Sequence, residues 1–164
     1  MRRSVVVATA AVYASMYAAL ALVFSPISYG VIQLRVANVM VGLVPVIGWP
    51  AVVGQAIGVF IANQPAFGDP LGPIDLLNVI PALIFSWLLW KLRGKSVLLG
   101  LTLYSVGVGV TVGLSLNYAG FINGPIYLGF AYVIVGIFFA TAVLGYVFYK
   151  AVKRLGILQR RFGE

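Results

Sequence analysis

Apolar stretches close to the length of a membrane crossing recur along the chain, separated by short clusters of proline, glycine, asparagine and charge. The first, about 5–24, stops at Ser25-Pro26, because proline cannot continue a helix ladder. Residues 25–35 carry Pro26, Ser28 and Gly30 and predict a loop. A longer apolar stretch, 36–63, is interrupted by Pro45 and by Gly48-Trp49-Pro50. The residue before a proline is pushed out of helical geometry, so this break predicts two short helices, 36–48 and 50–63. Each would span only roughly 20 Å at about 1.5 Å per residue. A single long tilted helix is the alternative. Residues 64–73, QPAFGDPLGP, read as a loop. Helices follow at about 74–90, 96–116 and 126–150, linked by KLRGK and NYAGFINGP and closed by a cationic tail.

Composition agrees with this pattern. Of 164 residues, 62% are hydrophobic and 9% charged, where a soluble domain carries roughly a quarter charged. Mean hydropathy is +1.08. The expectation is an all-α integral membrane protein, a single membrane domain over 1–164 with six transmembrane helices, the second and third short. The N-terminal MRRSVVVATA has the basic-then-apolar order of a signal peptide. Its apolar run of about 20 residues exceeds the usual 7–15 or so, and reads as a retained first helix.

Charge orients the helices. With six spans, ten of the eleven cations fall on one face and Arg35 stands alone on the other, which places both termini in the cytoplasm. A five-span arrangement also obeys the positive-inside rule, less strongly, at nine cations against two. The net charge of +8 is thus a matter of topology and anionic lipid headgroups rather than nucleic acid. With no cysteine and no histidine, the chain has no disulfide, thiolate or imidazole, and zinc and iron–sulfur sites are not expected. Gly94-Lys95-Ser96 resembles the end of a Walker A loop, but Leu89 stands where that motif needs glycine. Catalysis finds no support, and active uptake would draw on a separate ATPase or an ion gradient.

The uncommon polar residues gather at the outer ends of the spans: Gln33, Arg35, Asn38, Asn63, Asp75 and Asn78 among them. Amides donate and accept together, which suits a small heterocyclic or amide-bearing ligand. Arg35 and Asn38 are three apart and share a helix face. The competing reading is structural: Asp69 and Asp75 favour a helix N-terminus, and Asn117 and Asn123 are ordinary turn residues. The first span carries a second signal. Ala10, Ala14 and Ala18 repeat every four residues beside Ala11, Ser15 and Ala19, a stripe that permits close helix approach within the chain or to a partner. Gly54 with Gly58 and Gly109 with Gly113 have the same spacing.

Three blocks, PISYGVIQLRVAN at 26–38, GQAIGVFIAN at 54–63 and GPIDLLN at 72–78, resemble the queuosine-precursor transporter (QueT-type) family. These are substrate-binding S components of energy-coupling factor (ECF) transporters. YSVGVGV at 104–110 is a weaker match. The resemblance implies an S-component-like bundle in the cell membrane that captures a queuosine precursor, deazapurine or related heterocyclic nutrient. Its partners would be a transmembrane scaffold subunit and two cytoplasmic ATPases; the chain itself would need no cofactor and would be no enzyme. Gln33, Arg35, Asn38, Asn63, Asp75 and Asn78 would bind substrate, and Ala10, Ala14 and Ala18 would dock on the scaffold. Family members usually carry glutamates where this chain has Asn38 and Ile137, which favours a neutral deazaguanine over an aminomethyl-bearing precursor. Outside the family, the residues also fit a small structural or assembly protein, or an ion-coupled carrier acting alone.

Overall fold

The computed structural model describes residues 3–28, 34–64, 72–121 and 125–155, all of them helix, turn or short link, with no strand among them. Helix α1, Arg3–Val23, buries Ala10, Tyr13, Ala14, Tyr17, Ala18 and Ala21 on one stripe. Val7, Val12 and Met16 face outward, as suits contact with lipid tails. The predicted loop after it begins as one helical turn, Ser25–Ser28.

The apolar stretch 36–63 is indeed two helices. Helix α2 starts as eight residues of 3₁₀ helix, Val36–Leu43, and turns α-helical over Val44–Ile47, with Pro45 at the switch, where it leaves one ladder bond unmade. Gly48 then takes φ +83°, a conformation that excludes most side chains. Helix α3, Trp49–Ala62, restarts at once. Neither reaches the length of a full span: each rises roughly 20 Å against a hydrocarbon core of about 30 Å.

Helix α4, Val79–Leu92, is entered through a 3₁₀ turn, Gly72–Asn78. Helix α5, Val97–Tyr118, is capped by Ser96, whose hydroxyl accepts from the Leu99 N–H at 3.2 Å. Helix α6, Ile126–Phe138, passes through a π-helical stretch, Phe139–Leu144, into α7, Gly145–Leu155. The sequence pattern predicts one unbroken helix there; an extra residue per turn in the π stretch carries no hydropathy signature. Four helical stretches among the described residues are long and apolar enough to cross a membrane: Arg3–Val23, Pro73–Leu92, Val97–Tyr118 and Tyr127–Leu155. Val36–Ile47 and Trp49–Ala62 are shorter.

Helices α1, α3, α4, α5 and α6 pack in succession, and α2 closes the ring between α1 and α7. Glycine permits the tightest crossings. A Cβ on Gly54 would lie 2.8 Å from the Ala10 carbonyl oxygen, and one on Gly58 would lie 2.9 Å from Tyr17 Cβ. Gly109 and Gly113 accept Ile134 and Phe130 of α6 in the same way. Gly42 of α2 meets the Gly145 backbone directly. The glycine pairs are therefore internal packing surfaces, with backbones close enough for dispersion to hold helices together in lipid.

The bundle has two unlike ends. One gathers Trp49, Trp90, Lys91 and Arg93, with Lys91 Nζ 5.0 Å and Arg93 Cζ 5.6 Å from the Trp90 ring and the two tryptophan rings 6.0 Å apart. Lys150 and Lys153 sit over Tyr146 and Tyr149 on α7. The opposite end holds the polar residues.

Candidate functional site

The irregular ends of the helices build the site. Arg35 is the residue before the 3₁₀ start of α2, in extended geometry (φ −72°, ψ 93°), and its carbonyl accepts from the Asn38 N–H at 2.8 Å. That turn folds Arg35 and Asn38 back together. Asn63 ends α3, and Asp75 and Asn78 lie on the 3₁₀ turn into α4. Three chain ends thus meet, each finishing in a turn tighter or looser than an α-helix and each leaving backbone groups to be satisfied locally.

Their side chains interlock. The Asp75 carboxylate accepts from Arg35 Nη2 through Oδ2 at 3.4 Å and from Asn78 Nδ2 through Oδ1. Asn78 Nδ2 also reaches Ser115 Oγ on α5 at 3.4 Å. Asn63 Nδ2 donates to the Asp75 carbonyl at 3.0 Å, tying α3 to the turn, while its Oδ1 is buried without a partner among the described residues. Arg35 is 6% exposed and Asp75 1%. A charge held this far from solvent stays only if it is matched and hydrogen-bonded.

Beneath this pair lies a second tier. Tyr17 of α1 donates to Asn38 Oδ1 at 2.7 Å. Gln55, fully buried in α3, joins two tyrosines: its Nε2 donates to the Tyr104 hydroxyl at 3.0 Å, and its Oε1 lies 3.0 Å from the Tyr13 hydroxyl, which also reaches the Met40 carbonyl at 2.8 Å. Tyr17, Arg35, Asn38, Asn78 and Tyr104 line a cavity closed by the apolar Val59, Ala82, Val108, Val112 and Ile137. It encloses about 10 Å³, room for about one water. Small-molecule sites measure roughly 300–1,000 Å³, so a ligand would enter only as these walls part.

Of the residues expected to bind substrate, Arg35, Asn38, Asn63, Asp75 and Asn78 come together here, and Gln33 lies outside the described residues. Asn117 and Tyr118 face outward and do not join them. Tyr13, Tyr17, Gln55 and Tyr104 were not in the expected set. Gln55 left a legible signal, one amide in an otherwise apolar helix; the tyrosines did not, since a ring within a span packs in an apolar core whether or not its hydroxyl meets a polar group. Ala10, Ala14 and Ala18 are buried against α3. The exposed row of α1 is the adjacent one, Ala11, Ser15 and Ala19. Ala10, Ala11, Ala14 and Ser15, with Val53, Ile57 and Ile61 of α3, border an open apolar groove of about 400 Å³. No group of three or more potential metal ligands stands together among the described residues.

The model of the QueT transporter family matches residues 7–154, nearly the whole chain, and the chain belongs to that family. It is therefore a multi-pass membrane transporter of the queuosine-precursor type. No curated relative and no solved structure matches the chain.

Proposed function

We propose that this QueT transporter is the substrate-binding S component of an ECF-type uptake system, and that its substrate is a neutral queuosine precursor, a deazapurine or a related small heterocycle. The observation that carries the reading is the cavity among Arg35, Asn38, Asn78 and two tyrosines, buried at the end of the bundle away from the basic residues. A buried arginine bonded to a buried aspartate, with amides converging beside it, is costly to keep for helix capping alone. Asn38 and Ile137, the positions where the family resemblance leads one to expect carboxylates, both line the cavity. None of the described residues lining the cavity is a carboxylate, which favours an uncharged ring system.

In this reading all six apolar helical stretches cross or enter the membrane, with both termini cytoplasmic and the Arg35 end facing outward in the cell membrane. The two short stretches would sit where the bilayer thins or neighbouring helices shield them. Energy comes from two cytoplasmic ATPases through a transmembrane scaffold. The scaffold docks along the α1–α3 groove, where Ala10 and Ala14 line the floor and Ala18 supports it from within. Gln33 would complete the substrate contacts.

Co-expression with candidate scaffold and ATPase subunits, followed by mass spectrometry of the small molecule retained by the purified chain, tests the proposal. A retained deazapurine and a raised melting temperature on adding 7-deazaguanine are expected. A chain whose melting temperature is unmoved by any deazapurine, and which transports in liposomes on an ion gradient alone, would be a self-sufficient carrier instead.

A further inference from the structure

The hydrogen-bond directions around the cavity point one way. Tyr17 spends its proton on Asn38 Oδ1. The Gln55 amide nitrogen turns toward Tyr104, and the amide oxygen toward Tyr13. Gln55 Nε2 occupies the Tyr104 oxygen as a donor, which leaves the Tyr104 proton with no acceptor among the described residues. The Asn38 amide N–H₂ is in the same state, its oxygen taken by Tyr17. Both residues line the cavity, and among the described residues no carboxylate does. Arg35 lines it too, but its charge is matched by Asp75.

From this polarity we infer that Tyr104 and Asn38 are specificity-determining donors, with Gln55 a positioning residue that acts through Tyr104. The bound molecule presents an uncharged acceptor edge, a ring carbonyl, to them. The inference rests on the small-heterocycle reading above and adds which edge of the ring is read. Gln55 does not line the cavity; its Nε2 bond to the Tyr104 oxygen fixes a proton direction from behind. A site with buried donors penalises a ligand lacking the matching acceptor, because those donors are then stranded.

The test compares 7-deazaguanine with 2-amino-7-deazapurine, which lacks the ring carbonyl, on the purified full chain by equilibrium binding. The wild-type protein is expected to prefer the carbonyl compound by on the order of 100-fold. Tyr104→Phe and Gln55→Met should each lower that ratio by roughly ten-fold, mainly through weaker binding of the carbonyl compound. A purely structural role would weaken both ligands alike and leave the ratio unchanged. If both variants fold, as judged by their unliganded melting temperatures, and keep the full wild-type ratio, the inference is overturned. Should Tyr104→Phe fail to fold, the ratio in Gln55→Met decides. Equal binding of both compounds by the wild type overturns the acceptor-edge inference alone. Binding of neither overturns the small-heterocycle reading as well.

Discussion

Two arginines in this chain show how differently the ends of one bundle treat charge. Arg93 is exposed beside the Trp90 ring, among lysines stacked on tyrosine. Arg35 is 6% exposed and bonded to a carboxylate that is itself held by an amide. At the basic end, headgroups and water satisfy the charge, and a cation near an aromatic ring contributes about 0.5–1 kcal/mol when exposed. At the polar end the protein must satisfy it alone. The contrast teaches that the first end marks a boundary of the membrane, while the second stores an arrangement that solvent could not maintain.

Removing one member of the buried pair should have the largest effect. Asp75→Ala strands the Arg35 charge and should destabilise the protein by about 3–5 kcal/mol, read as a fall in melting temperature in detergent. Replacing both partners at once, Arg35→Met with Asp75→Leu, should recover most of that stability while ligand binding stays lost. If the double replacement binds normally, the pair belongs to the fold and not to the site.

Overpacking the α1–α3 crossing comes next. Gly58→Leu drives a side chain into Tyr17 and should cost about 1–3 kcal/mol or more, with ligand affinity falling because Tyr17 holds Asn38. Tyr17→Phe isolates that second part. Loss of the 2.7 Å bond to Asn38 leaves a buried acceptor open at about 1–3 kcal/mol, a smaller drop in melting temperature accompanied by weaker ligand binding. The smallest change is expected at the other end of the bundle. Lys91→Ala should shift stability by no more than about 1 kcal/mol and leave ligand affinity unaltered. A loss there as large as at Asp75 would erase the distinction between the two ends.

Much of the site was legible before any coordinates, for a physical reason. Arg35, Asn38, Asn63, Asp75 and Asn78 stand out because a polar residue beside an apolar span is costly unless it has a task, and all five meet in space. Gly48-Trp49-Pro50 announced the break between α2 and α3 through backbone geometry alone. The stripe Ala10, Ala14, Ala18 was legible as a close-packing surface, but not which helix it meets. A row four residues apart serves an internal neighbour and an external partner equally well, and here α3 with its opposed glycines covers it. Tyr13, Tyr17 and Tyr104 stayed hidden because a ring within a span reads the same whether it only fills the core or carries its hydroxyl to a buried amide.

The sequence by itself determined that this chain is helical, that it belongs in a membrane, and that its charges are divided between two ends. Those properties follow from hydropathy, helix-breaking residues and the cost of burying charge, all of which act residue by residue. Only the tertiary structure decided that Arg35 meets Asp75 forty positions away, that Gln55 joins Tyr13 to Tyr104, and that the final helix loosens into a π stretch against α2. Those are outcomes of which helices touch, and in a chain so uniformly apolar many pairings have similar hydropathy. The choice among them is made by where glycines allow backbones to close and where buried donors find acceptors.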